Sequence, residues 1–294
     1  MNLAELLPSW ELTLRAERKA AGTIKTYGAG VRRFIAWCAD NDHEAALTRP
    51  LATAYVADSL ESCEATTAGA RLLAVKRFSA WCLAEGEQDV DQLASMKQPR
   101  LDQKVVEPLT DDDLRNLLRT CQSRDFVGIR DEAILRFMIE TGARANEVIS
   151  LSVADVDLIE GRAIIRRGKG GKGRPVPFGP GTATAIDRYK RRARAKHSLA
   201  HLDDLWLGAR GKRFGYSALY LALTNRAKLA GIDNFHPHRL RHTAAHRWLS
   251  KGGSDSGLMA VAGWSQPTML HRYTRARASE RAAAEARTLN LAEL

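Results

Sequence analysis

The stretch Ala262-Gly263-Trp264-Ser265-Gln266-Pro267-Thr268-Met269-Leu270-His271-Arg272-Tyr273-Thr274 reads as a turn followed by a helix. Tyr273 stands there among His271, Arg272 and Arg275, which surround its phenol with hydrogen-bond donors. A tyrosine by itself is most often structural, and Trp264 on composition is a core residue. An indole N–H turned towards a phosphate acts instead as a neutral donor.

Upstream lies His238-Arg239-Leu240-Arg241-His242, in a stretch with helical spacing. His238 and Arg241 are one turn apart and share a face, so a proton-transfer group sits beside a phosphate-binding fork. His238, His242 and His246 also recur at a spacing that binds zinc on a helix. The intervening residues are Arg239 and Arg241 with Arg247 beyond, not the acid of a His-Glu-x-x-His motif, and they repel a cation. No metal is expected. Earlier still, Thr141-Gly142-Ala143-Arg144-Ala145-Asn146-Glu147 places Arg144 just past a helix stop. That arginine either pairs with Glu147 on the surface or offers its fork to two phosphate oxygens. Between two short strands, Gly168-Lys169-Gly170-Gly171-Lys172-Gly173 is a flexible turn that lets Lys169 or Lys172 reach into a groove. Such turns are more often solvated hairpin tips.

The chain has 294 residues, a length expected to form two domains, and a net charge of +11. That balance favours a polyanionic partner. No apolar run approaches the roughly 18 residues of a membrane span, and the start lacks the layout of a secretion signal. Cys38, Cys63, Cys82 and Cys121 show no C-x-x-C spacing, so neither a zinc ribbon nor a redox pair is suggested. The expected location is cytoplasmic.

Residues 1–96 read as a helical bundle. Thr23 to Ala39 places Tyr27, Val31, Phe34, Ile35 and Cys38 on one face, and Arg71 to Ala84 does the same with Leu72, Val75, Phe78 and Cys82. Their outward Arg32, Arg33, Lys76 and Arg77 are candidate phosphate contacts, or else a solvated face. Residues 97–107 read as a charged linker. Thr110 then caps a helix with Asp111, Asp112 and Asp113 in its first turn. From 108 onward the expected elements are helices over Ile129–Thr141, Arg144–Leu151, Gly181–Lys196, Tyr216–Ala230 and Pro237–Ser250. Strands are expected over Gly161–Arg167 and Arg174–Phe178. The tail, 276–294, is Ala-rich and ends with Leu289, Leu291 and Leu294.

Arg144, then His238-x-x-Arg241, then Gly263-Trp264, then Tyr273: this order resembles the tyrosine recombinase (phage integrase) family over roughly Pro108 to Tyr273. The resemblance implies a fold that is mainly α with a small antiparallel β-sheet in the C-terminal domain. An N-terminal helical core-binding domain would precede an α+β catalytic domain. It implies that Arg144 and Arg241 hold the scissile phosphate and stabilise its pentacoordinate transition state. Tyr273 is then the nucleophile, leaving a 3′-phosphotyrosyl link and a free 5′-hydroxyl. Lys169 aligns with the family's general acid, with Lys172 the alternative. His238 assists proton transfer, Glu147 orients the site, and Trp264 stands where a histidine is common. No cofactor is implied, since the phosphotyrosyl bond conserves the energy of the phosphodiester. The implied partners are double-stranded DNA recombination sites, a homo-tetramer on DNA in which the terminal helix 276–294 docks on a neighbour, and a directionality factor. The short two-domain layout, with no arm-binding domain expected, leaves phage or mobile-element integration as the first role and Xer-type resolution as the second. A non-cleaving DNA-binding homologue is the remaining alternative.

Overall fold

The computed structural model describes residues 2–100, 107–166, 173–267 and 269–270. Two compact units divide the chain, Met1–Lys104 and Val105–Leu294.

The first unit holds helices α1 (Leu3–Ala16), α2 (Ala21–Asp40), α3 (Arg49–Ser62) and α4 (Ala65–Ala84). Leu3, Leu7, Trp10 and Leu14 recur at helical spacing and bury one stripe of α1. The repeated Val-Phe-Cys pattern is the centre of this core: Val31, Phe34 and Cys38 of α2 and Val75, Phe78 and Cys82 of α4 are all fully buried. Gly30 explains how close these helices come. A Cβ there would lie 2.6 Å from the Ala74 Cβ, so α2 and α4 meet where one of them carries no side chain.

The second unit is built round α6 (Phe126–Thr141), which follows α5 (Asp111–Arg119). Thr110 caps α5 as expected, with a reciprocal pair of bonds to Asp113. Asp125 caps α6 through the Gly128 N–H, and Gly142, at φ 60°, ends it. α7 (Ala145–Ile149) comes next, then a three-stranded antiparallel sheet of β1 (Val156–Asp157), β2 (Arg162–Ile165) and β3 (Arg174–Pro177) in that order. Ala163 sits opposite both Val156 and Val176, and all three are buried. Pro175 and Pro177 are tolerated because β3 is an edge strand. Helices α8 (Pro180–Arg188), α9 (Tyr216–Leu229), α10 (Pro237–Ser250) and α11 (Asp255–Ala262) complete the unit. α6, α8, α9 and α10 enclose the larger core with Phe137, Ile134, Ile186, Leu223 and Leu240 fully buried.

Three expectations are corrected. β1 was not foreseen, because two residues carry no alternation to read. Arg144 does not belong to the helix it precedes: its extended backbone, φ −69° and ψ 147°, makes it the residue before α7. The single helix over Gly181–Lys196 instead ends at Arg188 and continues as a π-turn, Tyr189–Ala193, and a 3₁₀ turn, Arg194–Lys196. The wider turn lets Tyr189 and Arg194 both face inward. The Tyr189 hydroxyl accepts from the Leu207 N–H, and Arg194 donates to the carbonyls of Ala200, Leu202 and Asp204. A buried ion cluster was equally illegible: Asp131 accepts from Arg130 at 2.7 Å and Arg226 at 3.0 Å, and Arg130 lies 4.3 Å from the Phe214 ring centroid.

Candidate functional site

Four chain segments converge on a cluster of three arginines and one carboxylate. Arg144 follows the Gly142 stop, so its position is set by where α6 ends. Its backbone N–H donates to Glu147 Oε2 at 2.9 Å and its Nη1 donates to Oε1 at 2.8 Å. The carboxylate itself is buried at 5% exposure. It also accepts both terminal nitrogens of Arg174, at 3.0 and 2.8 Å, in a bidentate pair. Arg174 Nε donates to the Val261 carbonyl at 2.7 Å, which ties the start of β3 to the end of α11.

Arg241 is fixed from the other side. Its Nη1 donates to the Gly142 carbonyl at 2.8 Å and its Nη2 to the Ala262 carbonyl at 2.7 Å. Those are orphan carbonyls at the ends of α6 and α11, so a guanidinium there serves both helix C-termini. Its central carbon lies 5.4 Å from the Trp264 ring centroid, a cation–π contact with a buried indole. Gly263 has φ 64°, and a Cβ there would sit 2.9 Å from the Arg174 guanidinium carbon. Only glycine fits both demands.

Arg144, Glu147, Arg241 and Trp264 are therefore brought together from residues far apart in the chain. His238 is exposed in the first turn of α10, its ring stacked on His236 with centroids 6.3 Å apart. Lys169, Lys172, Tyr273 and the tail 276–294 lie outside the described residues. In the first unit, Arg32 pairs with Glu11 at 2.9 Å and Lys76 donates to the Met96 carbonyl, while Arg33 and Arg77 are exposed.

Arg174 is the residue of this cluster that motif reading missed. A signal existed: strand alternation puts residue 174 on the same face as Val176 and Phe178, both buried. An arginine on an inward face needs a carboxylate, and Glu147 supplies it.

Electrostatics keep the cluster charged. Burial pushes the Glu147 carboxyl up, but the Arg174 hydrogen bond and charge, with the Arg144 contacts, outweigh it and hold it at about 2. Burial, then the neighbouring His238, His246 and Arg239, hold His242 down at about 4, so it is neutral at pH 7. Both folded values lie below their unfolded ones, so both contribute stability that is lost on acidification. The expected melting curve falls as pH drops from about 6.5 to 4 through His242, then again from about 4.5 to 2 through Glu147. Glu147→Gln removes the second fall, and thermal melts from about pH 2 to 8 check it.

The pattern of the phage integrase family matches residues 107–280, and that of the phage integrase N-terminal SAM-like domain matches residues 7–86. The chain belongs to the phage integrase family. Similarity extends along nearly the whole chain. It is 29% identical to tyrosine recombinase XerD of Corynebacterium glutamicum, covering 93% of this chain and 94% of that one. To XerD of Bifidobacterium longum it is 30% identical, with 87% of each covered. Among solved structures, XerA recombinase matches at 26% identity and a TM-score of 0.52, over 93% of this chain and 94% of that one. A Tn1549 transposon integrase, in complex with circular intermediate DNA, shares the fold at a TM-score of 0.72 and 18% identity, over 95% and 99%. The mainly helical tyrosine recombinase fold with its small antiparallel sheet is the one the motif order implied.

Proposed function

We propose that this tyrosine recombinase cuts and rejoins double-stranded DNA at specific sites through Tyr273, with Arg144 and Arg241 as its phosphate clamp. The observation that carries the reading is the anchoring of both guanidiniums by main-chain and carboxylate acceptors. Pre-placed donors stabilise charge that builds on the non-bridging oxygens without reorganising during the reaction. The Tyr273 oxygen forms a bond to phosphorus as the bond to the 5′-oxygen breaks. The phenol proton passes to His238, and Lys169 protonates the departing 5′-oxygen, with Lys172 as its alternative. Trp264 packs against Arg241 and replaces a titrating group with an apolar face. Attack by another strand's 5′-hydroxyl reverses each step, so neither metal nor nucleotide is required.

The N-terminal bundle, residues 1–96, takes the role of a DNA-binding domain, with the exposed Arg33 and Arg77 among its candidate phosphate contacts. Residues 97–107 link it to the catalytic domain, 108–294. The working assembly is a homo-tetramer on two sites in the cytoplasm. Two settings suit this chemistry: integration and excision of a phage or mobile element, with a directionality factor, or Xer-type resolution. The near-full-length similarity to XerD proteins favours the second. Deleting the gene separates them, through loss of element excision in one case and accumulation of chromosome multimers in the other. The chemistry is tested with nicked suicide duplexes in EDTA. A denaturant-stable protein–DNA band is expected at full yield, and cleavage that needs a divalent metal would contradict the reading.

A further inference from the structure

A second cationic site lies in the catalytic unit, away from the arginine cluster. A cleft of about 940 Å³ opens between α5, α6, and the end of α8 with the turns that follow it. Seven Arg and Lys side chains line it against one carboxylate, Glu132. That carboxylate is already committed to Arg136 and Arg188, both at 2.9 Å. Arg115 is held by Asp112 at 2.7 Å. Among the described residues, Arg119, Arg124, Arg192 and Lys196 have no carboxylate within 4 Å, and all four are exposed. Four unpaired cations round one cleft repel one another, a cost that a polyanion removes. The cleft runs along α6 from Ile129 to Arg136, and Arg144 follows the end of that helix. None of Arg144, Glu147, Arg174, Arg241 and Trp264 lines the cleft, so the two sites share no residue.

The chemistry of the cleft selects the partner class. Protein interfaces centre on exposed aromatic or aliphatic anchors. None of the large exposed hydrophobic side chains lines this cleft. Arginine forks without carboxylates instead match phosphate oxygens. We infer that this cleft binds the phosphodiester backbone of DNA outside the segment held at the Arg144–Arg241 clamp. It thereby adds sequence-independent affinity for DNA longer than the cleaved core. The inference rests on the proposed recombinase activity for its choice of DNA as the polyanion.

The test uses the full chain with Arg124→Ala, Arg192→Ala and Lys196→Ala combined, all at exposed positions outside the clamp. Binding is measured over a salt series on a short core duplex and on the same core with long flanks. Covalent trapping on the short nicked core runs alongside. Trapping at saturating enzyme is expected to match the parent chain. Affinity for the long duplex is expected to fall at least tenfold, with a salt slope shallower by about two to three, one per lost phosphate contact. The short duplex is expected to bind as before. Equal affinity and slope on both lengths would overturn the inference and leave the cleft to an acidic protein segment. A parent chain that binds long DNA with the steeper slope but forms no covalent band would sink the recombinase reading while sparing this one.

Discussion

Replacing Arg241 by alanine is expected to lower single-turnover DNA cleavage by about three orders of magnitude at saturating enzyme, with substrate binding weakened far less. The rate loss follows from removing a pre-placed donor from the charge that builds at phosphorus, where a single such donor is worth roughly 10²–10³. A structural cost adds to it. Arg241 is 3% exposed, and its two bonds to the Gly142 and Ala262 carbonyls hold the ends of α6 and α11 together. Losing two charge-assisted bonds is expected to cost about 3 kcal/mol. Arg241→Lys separates the effects. It keeps the charge, but one ammonium cannot reproduce the planar fork that spans both carbonyls. Cleavage is expected to stay near the alanine level while the melting temperature recovers part of its loss. Cleavage by the lysine variant within tenfold of the parent chain would show that charge alone, without the fork, is enough.

Glu147→Ala is expected to be the most destabilising single change at the site. It strands Arg174, whose side chain is 10% exposed, and frees Arg144 from its only described carboxylate. Breaking a buried pair by removing one partner costs about 3–5 kcal/mol. For a unit of this size that is roughly 6–20 °C of melting temperature. Cleavage falls too, because Arg144 loses its orientation. Arg174→Met made together with Glu147→Ala removes the stranded cation and is expected to restore much of the stability but not the cleavage. Melting curves and single-turnover rates on the two singles and the double give the coupling directly. Additive losses would mean that the Arg174–Glu147 pair does not act as a unit.

Much of the fold was legible because its signals are local. The Val-Phe-Cys stripes at residues 31–38 and 75–82, the Gly142 stop and the Thr110 cap each depend on neighbours within a turn or two. The motif order was legible for the same reason: each of Arg144, His238, Arg241 and Trp264 carries its own short context. What escaped was long-range. Arg174 earns its place from Glu147 and Val261, and nothing within a turn of it announces either partner. The π-turn after α8 exists because Tyr189 and Arg194 reach acceptors and donors on a later loop, which helical periodicity does not encode. Arg32 and Lys76 looked alike as outward cations, yet each is held by a partner distant in sequence, Glu11 and Met96.

If Tyr273 forms the covalent bond to DNA, as proposed above, the nucleotide it carries can be located directly. The parent chain and Tyr273→Phe are each incubated in EDTA with a nicked suicide duplex, and any denaturant-stable complex is digested to find the peptide that carries nucleotide. A complex is expected from the parent chain alone, with the nucleotide on the peptide containing Tyr273. A complex of equal yield from Tyr273→Phe, or nucleotide on any other peptide, would contradict the proposal.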